Sequence, residues 1–142
     1  MEVPPHWRPV KPRGMISARI RQEHAAAVDS LVTELKAAGW AVEKYHILEF
    51  ALRPLLVPDG RDAIIRILSE NPPGNGGPPR GVMSSRIRDG YKQTLQDFLV
   101  EARGRGLVLE QYHVLELLLS PMLTPESRAE FVERLGQEQR WD

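Results

Sequence analysis

The feature that most constrains this chain is an internal duplication. Residues 15–70 align without a gap with residues 82–137, at a constant offset of 67 positions. Identical residues recur along the whole alignment, from a Ser-x-Arg-Ile-Arg phrase near its start to Pro-x-x-Arg near its end. A solenoid needs three or more units to bury its faces. Two units therefore predict a closed pair related by a pseudo-twofold axis.

Proline and glycine mark the boundaries between the segments of the chain. The segment between the copies reads NPPGNGGPPRG, which is typical of a flexible or extended linker. Such a linker permits either pairing within one chain or exchange between the two chains of a homodimer. The predicted segments are a basic, proline-rich arm (1–14), the first repeat (15–70), the linker (71–81), the second repeat (82–137) and a tail (138–142).

Each repeat opens with alternating apolar and polar residues. In ISARIR, at 16–21, isoleucine and alanine fall on one side and serine and arginine on the other, and MSSRIR at 83–88 follows the same period. A period of two predicts a half-exposed strand. Because a single strand leaves its backbone groups without partners, we expect the two strands to pair antiparallel into one ribbon.

Helical patterns fill the rest of each repeat. An amphipathic first helix ends before Gly39 and, in the copy, before Gly106. The second helix, over about 42–53 and 109–120, is apolar around most of its circumference, which places it at the centre of the assembly. A proline ends it, and a short third helix follows. The predicted fold is therefore mainly α-helical, with two tandem strand-helix-helix-helix repeats and a single two-stranded antiparallel ribbon.

The composition excludes several classes of site. The chain has no cysteine, so it has no disulfide, no thiolate zinc site and no cysteine nucleophile. It contains no glycine-rich phosphate loop and no Gly-x-Ser-x-Gly phrase, and we expect neither enzymatic activity nor a cofactor. No apolar run approaches the ~20 residues that span a bilayer, and the first residues lack the apolar core of a signal peptide. We expect a cytoplasmic protein with no membrane partner.

Charge is unevenly distributed, although the formal net charge is zero. A zero balance argues against a generic nucleic-acid coat held by diffuse positive charge. Residues 1–21, however, contain five basic residues against the single acid Glu2, so the arm and the first strand form a basic block. The basic residues of the arm are Arg8, Lys11 and Arg13.

With these elements in this order, the chain resembles the ribbon-helix-helix family of bacterial and phage DNA-binding proteins, of the Arc and MetJ type. The resemblance covers residues 15–56 and 82–123, and two units in one chain resemble the tandem arrangement of TraY. It implies a pseudo-twofold ribbon-helix-helix whose ribbon enters the major groove, where alternate strand side chains read base edges. It also implies double-stranded DNA as the partner, and hence association with the bacterial nucleoid.

Carried over position by position, the resemblance places the base-reading side chains on the polar face of the ribbon. These residues are Ser17, Arg19, Arg21, Ser84, Arg86 and Arg88. Arginine can bond the O6 and N7 atoms of guanine together, and serine can donate or accept a hydrogen bond. The basic arm would supply contacts to the DNA backbone. The alternative is that the arginines only keep an exposed edge strand from aggregating.

Polar residues of the second helix also recur in both copies. They are Glu43, His46 and Glu49, repeated as Glu110, His113 and Glu116. On a helical projection Glu43, His46, Glu49 and Arg53 fall together opposite the apolar arc, so we expect a solvent-facing stripe or a hydrogen-bonded pair of histidines. A rival interpretation is a metal site formed by Glu43, His46, Glu110 and His113, because Glu-x-x-His pairs occur in di-iron helical bundles. Glu43 and Glu110 also lie close enough to the start of this helix to repel a DNA phosphate.

We therefore expect a sequence-selective double-stranded DNA-binding protein, acting in transcription regulation as a repressor, or as a partition or DNA-organising factor. The alternative from another class is a helical dimerisation or protein-interaction module, such as a toxin-neutralising partner. In that case the apolar second helices make the interface and the ribbon is only structural. Binding to duplex DNA that weakens steeply with salt would separate the two hypotheses.

Overall fold

The computed structural model describes residues 14–71 and 80–137, except the side chain of Arg80. The first half consists of β1 (Gly14–Arg21), α1 (Gln22–Ala37), α2 (Lys44–Leu52), a 3-10 turn (Arg53–Leu56) and α3 (Pro58–Glu70). The second half consists of β2 (Arg80–Ile87), α4 (Asp89–Gly104), α5 (Gln111–Leu119), a 3-10 turn (Ser120–Leu123) and α6 (Pro125–Gly136). The two halves have the same order of elements. None of the helices in these ranges is long and apolar enough to cross a membrane.

The two strands pair with each other in an antiparallel ribbon. Its register runs from Gly14 opposite Ile87 to Arg21 opposite Arg80. The predicted mainly helical fold with one two-stranded antiparallel ribbon is thus confirmed. The observed second strand begins three residues before the predicted strand at 83–88 and ends one residue before its end, because Arg88 is already the N-cap of α4.

An approximate twofold axis passes through the middle of the ribbon. Ser17 and Ser84 lie at equivalent positions of the duplication and are directly opposite each other. Their hydroxyl oxygens are 3.1 Å apart. Every residue of one strand is therefore placed across the axis from its counterpart in the other repeat, so the ribbon combines the two halves symmetrically.

The inner face of the ribbon covers the helical core. Ile16 and Ile20 of β1 and Met83 and Ile87 of β2 are buried there. The helices beneath are exchanged: α5 of the second half packs under β1, and α2 of the first half packs under β2. As their apolar sequences indicate, α2 and α5 lie at the centre, and burial of these faces supplies the main driving force for folding.

One glycine follows the first helix of each half. Gly39 and Gly106 have φ angles of 93° and 84°, in the left-handed region that side chains with a Cβ rarely adopt. Immediately afterwards the backbone N–H of Trp40 returns to the carbonyl of Leu35 at 2.9 Å, which closes the helix end. Trp40 is buried against Gly136 of α6 and so ties the last helix to the first half.

Ion pairs also connect the halves on the outside of the bundle. Nη2 of Arg128 on α6 lies 2.7 Å from Oε2 of Glu34 on α1. In the equivalent place, Nε of Arg61 on α3 lies 3.6 Å from Oε1 of Glu101 on α4. Arg61 and Arg128 occupy equivalent positions of the duplication, and so do Glu34 and Glu101. Each pair joins one repeat to the other, so these recurring residues stabilise the contact between repeats.

The prediction of a solvent-facing stripe on the second helix is wrong for His46 and Glu49, although Glu43 and Glu110 are exposed. His46 and Glu49 are both 0% exposed, and His113 is buried as well. The helical projection took polarity as a sign of exposure, whereas these polar groups are buried because each has a hydrogen-bond partner. His46 accepts a hydrogen bond from the backbone at the start of its own helix. Glu49 accepts a hydrogen bond from Arg88, which is 39 positions away in the sequence.

Candidate nucleic-acid interface

The outer face of the ribbon carries the polar residues that the alternation predicts. Each rung places one residue of β1 opposite one residue of β2. The three central rungs on this face are Met15 with Arg86, Ser17 with Ser84, and Arg19 with Val82. All six residues are exposed. The serine rung lies on the approximate twofold axis, with one arginine on each side of it.

Arg19 and Arg86 are the two arginines of these three central rungs, and both are exposed. Within residues 14–71 and 80–137, neither side chain has an ion pair or a hydrogen bond. Each lies two residues from the axis, on opposite strands and in opposite directions. With about 3.4 Å per residue, their Cα atoms are about 14 Å apart along the ribbon. The two guanidinium groups are thus available to an external acceptor.

Arg88 is held in a different way. It follows β2 and turns away from the outer face, toward the fully buried carboxylate of Glu49 on α2. Its Nη2 and Nε atoms donate to Glu49 Oε1 at 2.8 and 3.1 Å, and its backbone N–H donates to Oε2 at 2.9 Å. The ring of Tyr91 lies 5.3 Å from the guanidinium carbon. These contacts hold the end of β2 against α2.

Arg21 makes the equivalent contact at the other end, but less closely. Its backbone N–H donates to Oε2 of Glu116 on α5 at 2.9 Å, while its Nε atom is 3.8 Å from Oε1. The Arg21 side chain remains 46% exposed and also lies 3.9 Å from Glu23. This arginine is therefore only partly committed to the protein. We call the pairs Arg88–Glu49 and Arg21–Glu116 the two clasps.

Of the six ribbon residues expected to read bases, the structure brings four together on the exposed face. They are Ser17, Arg19, Ser84 and Arg86. Arg88 lies just after the end of β2, and Arg21 is the last residue of β1. Sequence reasoning missed the part that Glu49 and Glu116 play in holding the ribbon. Their signal was present, because a glutamate recurs at this place in two otherwise apolar helices, as an arginine recurs at the strand ends.

The starts of α2 and α5 are closed by capping interactions. The backbone N–H of Glu43 donates to Nδ1 of His46 at 2.8 Å, and that of Glu110 donates to Nδ1 of His113 at 2.9 Å. In both cases the glutamate side chain accepts from the histidine backbone, which completes a capping box. Lys36 lies 3.1 Å from the Glu43 carboxylate. These helix starts already hold a carboxylate, so they are poor sites for a phosphate.

The same contacts bear on the metal hypothesis for Glu43, His46, Glu110 and His113. The Nδ1 atom of each histidine is already engaged by a backbone N–H. Burial lowers the pKa of His46 from 6.5 to about 4, an effect that Glu43 opposes and Arg88 reinforces. Across the described parts of the chain, no group of three or more histidine, cysteine, aspartate or glutamate residues could hold a metal ion. The geometry gives these residues a capping function.

The predicted backbone contacts of Arg8, Lys11 and Arg13 lie outside the described residues. The described chain begins at Gly14, on the rung opposite Ile87.

Comparison of the chain with protein-family models, with curated proteins and with solved structures finds no match. The interpretation of this face therefore rests on the residues and their geometry.

Proposed function

We propose that this protein binds double-stranded DNA and reads its sequence with the outer face of the ribbon. The observation that carries the proposal is the pair Arg19 and Arg86, exposed on opposite strands and related by the axis between Ser17 and Ser84. An exposed ribbon kept soluble by charge does not require this symmetry. The symmetry suits a reader of duplex DNA, because the two DNA strands are themselves related by local twofold axes.

The dimensions of the ribbon suit the major groove. The groove of B-DNA, about 12 Å wide, admits a two-stranded ribbon. The separation of about 14 Å between Arg19 and Arg86 corresponds to about four base pairs at 3.4 Å per pair. Each arginine can then form two hydrogen bonds with one guanine, and the two guanines lie on opposite DNA strands. Ser17 and Ser84 would lie over the centre of this short site.

The resemblance to ribbon-helix-helix proteins supports the same proposal. One strand followed by two helices occurs twice, and the two strands share one ribbon. In this interpretation the duplication replaces the two chains of a dimeric ribbon-helix-helix protein with one. The functions that such a protein would serve are those of a repressor, a partition factor or another DNA-organising factor.

A binding selection tests the proposal. The purified protein would be incubated with a pool of random duplexes at two salt concentrations, and the retained DNA sequenced. We expect an enriched motif with two guanines on opposite strands, and retention that falls steeply with salt. The double variant Arg19→Ala/Arg86→Ala should lose the motif and keep its thermal melting temperature.

A matched control uses arginines away from the ribbon. Arg66 on α3 and Arg103 on α4 are both exposed, and Arg66→Ala/Arg103→Ala removes the same charge. This control should keep the motif. The proposal is overturned if the ribbon variant retains the motif, or if both variants weaken binding equally.

The alternative function, a protein-interaction module, has one observation in its favour. An apolar cleft lies between the two halves, lined by residues that include Phe50, Ile67, Leu117 and Pro121. Failure of the wild-type protein to retain any duplex would favour this alternative. The accompanying measurement is sedimentation of the protein alone, in which a concentration-dependent dimer that Ile67→Asp abolishes would indicate that the cleft mediates association.

A further inference from the structure

The outer face of the ribbon also exposes two large apolar side chains. Met15 is 48% exposed and Val82 is 62% exposed. They occupy equivalent positions of the duplication, one on each strand. Neither side chain faces the core, which is covered from the other side of the ribbon by Ile16, Ile20 and their partners. Packing within the described chain therefore does not account for them.

The strand register places each of these side chains next to an exposed arginine. Val82 is directly opposite Arg19, and Met15 is directly opposite Arg86. Residues paired in this way have Cβ atoms about 4.5–5.5 Å apart. On each side of the axis the ribbon therefore presents one guanidinium group and one apolar side chain next to each other, at the same distance from the axis.

We propose that Met15 and Val82 are specificity-determining residues that recognise the methyl group of thymine beside the guanine bound by each arginine. This inference rests on the proposed function and deepens it. The C5-methyl group of thymine is the one apolar feature that bases present in the major groove, and small apolar side chains contact it. Cytosine carries only a hydrogen at C5, so the same side chain would lose this apolar contact if cytosine stood in place of thymine.

The geometry agrees with recognition of a base close to the guanine. Cross-strand neighbours on the ribbon have Cβ atoms about 4.5–5.5 Å apart, which lies between the rise of one base pair and that of two, at about 3.4 Å each. With Arg19 on a guanine, Val82 thus reaches an adjacent base pair, and only there can it meet a thymine, because the guanine itself pairs with cytosine. The same holds for Arg86 and Met15. The inferred recognition element of each half is a guanine with a thymine within two base pairs.

The two halves should differ in how strictly they select thymine. Val82 is β-branched and has one preferred side-chain rotamer, so its methyl groups are fixed in place. Met15 is unbranched and adapts to different surfaces. We therefore infer that the half read by Arg19 and Val82 selects thymine more strictly than the half read by Arg86 and Met15. The target sequence would then be an imperfect palindrome.

Replacement of thymine by deoxyuridine tests this inference, because it removes the methyl group and changes nothing else on the base edge. The selected duplex would carry deoxyuridine at one thymine at a time, and its Kd would be measured with the wild-type protein. We expect Kd to rise about fourfold at the thymine beside the Arg19 guanine, the effect of losing one buried methyl group. Deoxyuridine outside the ribbon site should leave Kd unchanged.

Variants at position 82 assign the effect to the side chain. Val82→Ser should bind the thymine and deoxyuridine duplexes equally, whereas Val82→Ile should keep the preference. Both variants should melt like the wild type, since this side chain is exposed. The inference is overturned if deoxyuridine has no effect at any position of an enriched motif, or if Val82→Ser keeps the preference.

Failure of the inference and failure of the proposed function give different results. A selected motif without sensitivity to deoxyuridine overturns the inference alone. The absence of any selected motif overturns the proposed function, and the inference with it.

Discussion

The two clasps use the same residue types at the two ends of one ribbon, yet they differ in depth. Glu49 is wholly buried and accepts hydrogen bonds from both the guanidinium and the backbone of Arg88. Glu116 is 14% exposed, and its carboxylate lies 3.8 Å from Nε of Arg21. Duplication supplied the same pair twice, so the difference must come from the residues around each pair.

The residue beneath each arginine explains part of the difference. In the second repeat Tyr91 is buried, and its ring lies 5.3 Å from the guanidinium carbon of Arg88. Its counterpart in the first repeat is His24, a smaller ring whose pKa is lowered by burial despite the nearby Glu116. A large aromatic ring excludes water from one clasp, and the other stays partly solvated. From this comparison we expect the buried clasp to contribute more to stability than the more exposed one.

The largest expected effect is at the buried clasp. Glu49→Ala removes a fully buried carboxylate and leaves the half-buried Arg88 without its partner, and should lower the free energy of unfolding by about 3 kcal/mol. Glu116→Ala breaks the more exposed clasp and should lower the free energy of unfolding by about 1 kcal/mol or less. Urea denaturation of both variants measures the difference. Equal losses would show that the two clasps contribute alike, contrary to the comparison.

A second contrast concerns the start of the third helix. A Cβ atom at Gly60 of α3 would lie 2.0 Å from the carbonyl oxygen of Pro54, so Gly60→Ala should destabilise the protein by about 3 kcal/mol. The equivalent Ser127 of α6 is accommodated, and its hydroxyl donates to the carbonyl of Pro121 at 2.7 Å. Ser127→Ala should cost only about 1 kcal/mol.

Thermal melting of these two variants provides the measurement. The positions are equivalent in the duplication, so each is the control for the other. If Gly60→Ala melts at the wild-type temperature, the helix starts are not packed differently in the two repeats.

Acid should act on the first repeat through His46. The pKa of this group is about 4 in the folded protein and 6.5 in the unfolded chain, so below pH 6.5 the unfolded state binds more protons. Its contribution is complete above pH 6.5 and is lost as the pH falls toward 4. After allowance for solvent screening, we expect a loss on the order of 2 kcal/mol.

The matched variant is His46→Gln, which removes the titrating ring but keeps a side chain suited to a capping box. Urea denaturation at several pH values should show a weaker decline between pH 6.5 and 4 in this variant. An unchanged decline would assign the acid sensitivity to other groups.

The smallest effect is expected on the face of the ribbon. Arg19→Ala should change the free energy of unfolding by no more than about 0.5 kcal/mol, because this side chain is exposed and makes no described contact. Arg88→Ala leaves Glu49 buried without its arginine and should cost several times more. Denaturation of both variants would separate a surface arginine from a structural one, and a large loss for Arg19→Ala would make the ribbon arginine structural.

Local patterns predicted much of this architecture. Alternation along ISARIR correctly placed Ile16 and Ile20 inward and Arg19 outward, since an amphipathic strand has two distinct faces. The glycine signals at the ends of α1 and α4 were also correct, because they reflect a backbone conformation that few other residues adopt.

Long-range pairing could not be predicted in the same way. Glu49 and Arg88 are 39 positions apart, and a helical projection of α2 contains no information about what lies opposite it. The recurrence of Arg21 as Arg88 was interpreted as a sign of DNA reading, although in the structure both donate to carboxylates of the other repeat. Recurring polar residues in a duplicated chain therefore mark contacts between the copies as well as surfaces for a partner.

Both clasps, and both ion pairs between the first and third helices, join one repeat to the other. The helix packed under each strand also belongs to the other repeat, so neither repeat covers its own strand with its own second helix. Fusion into one chain also fixes a single copy of each half, so that a substitution changes one side of the axis only. In a symmetric homodimer every substitution occurs twice. This chain can instead evolve its two sides independently, as Tyr91 opposite His24 already shows.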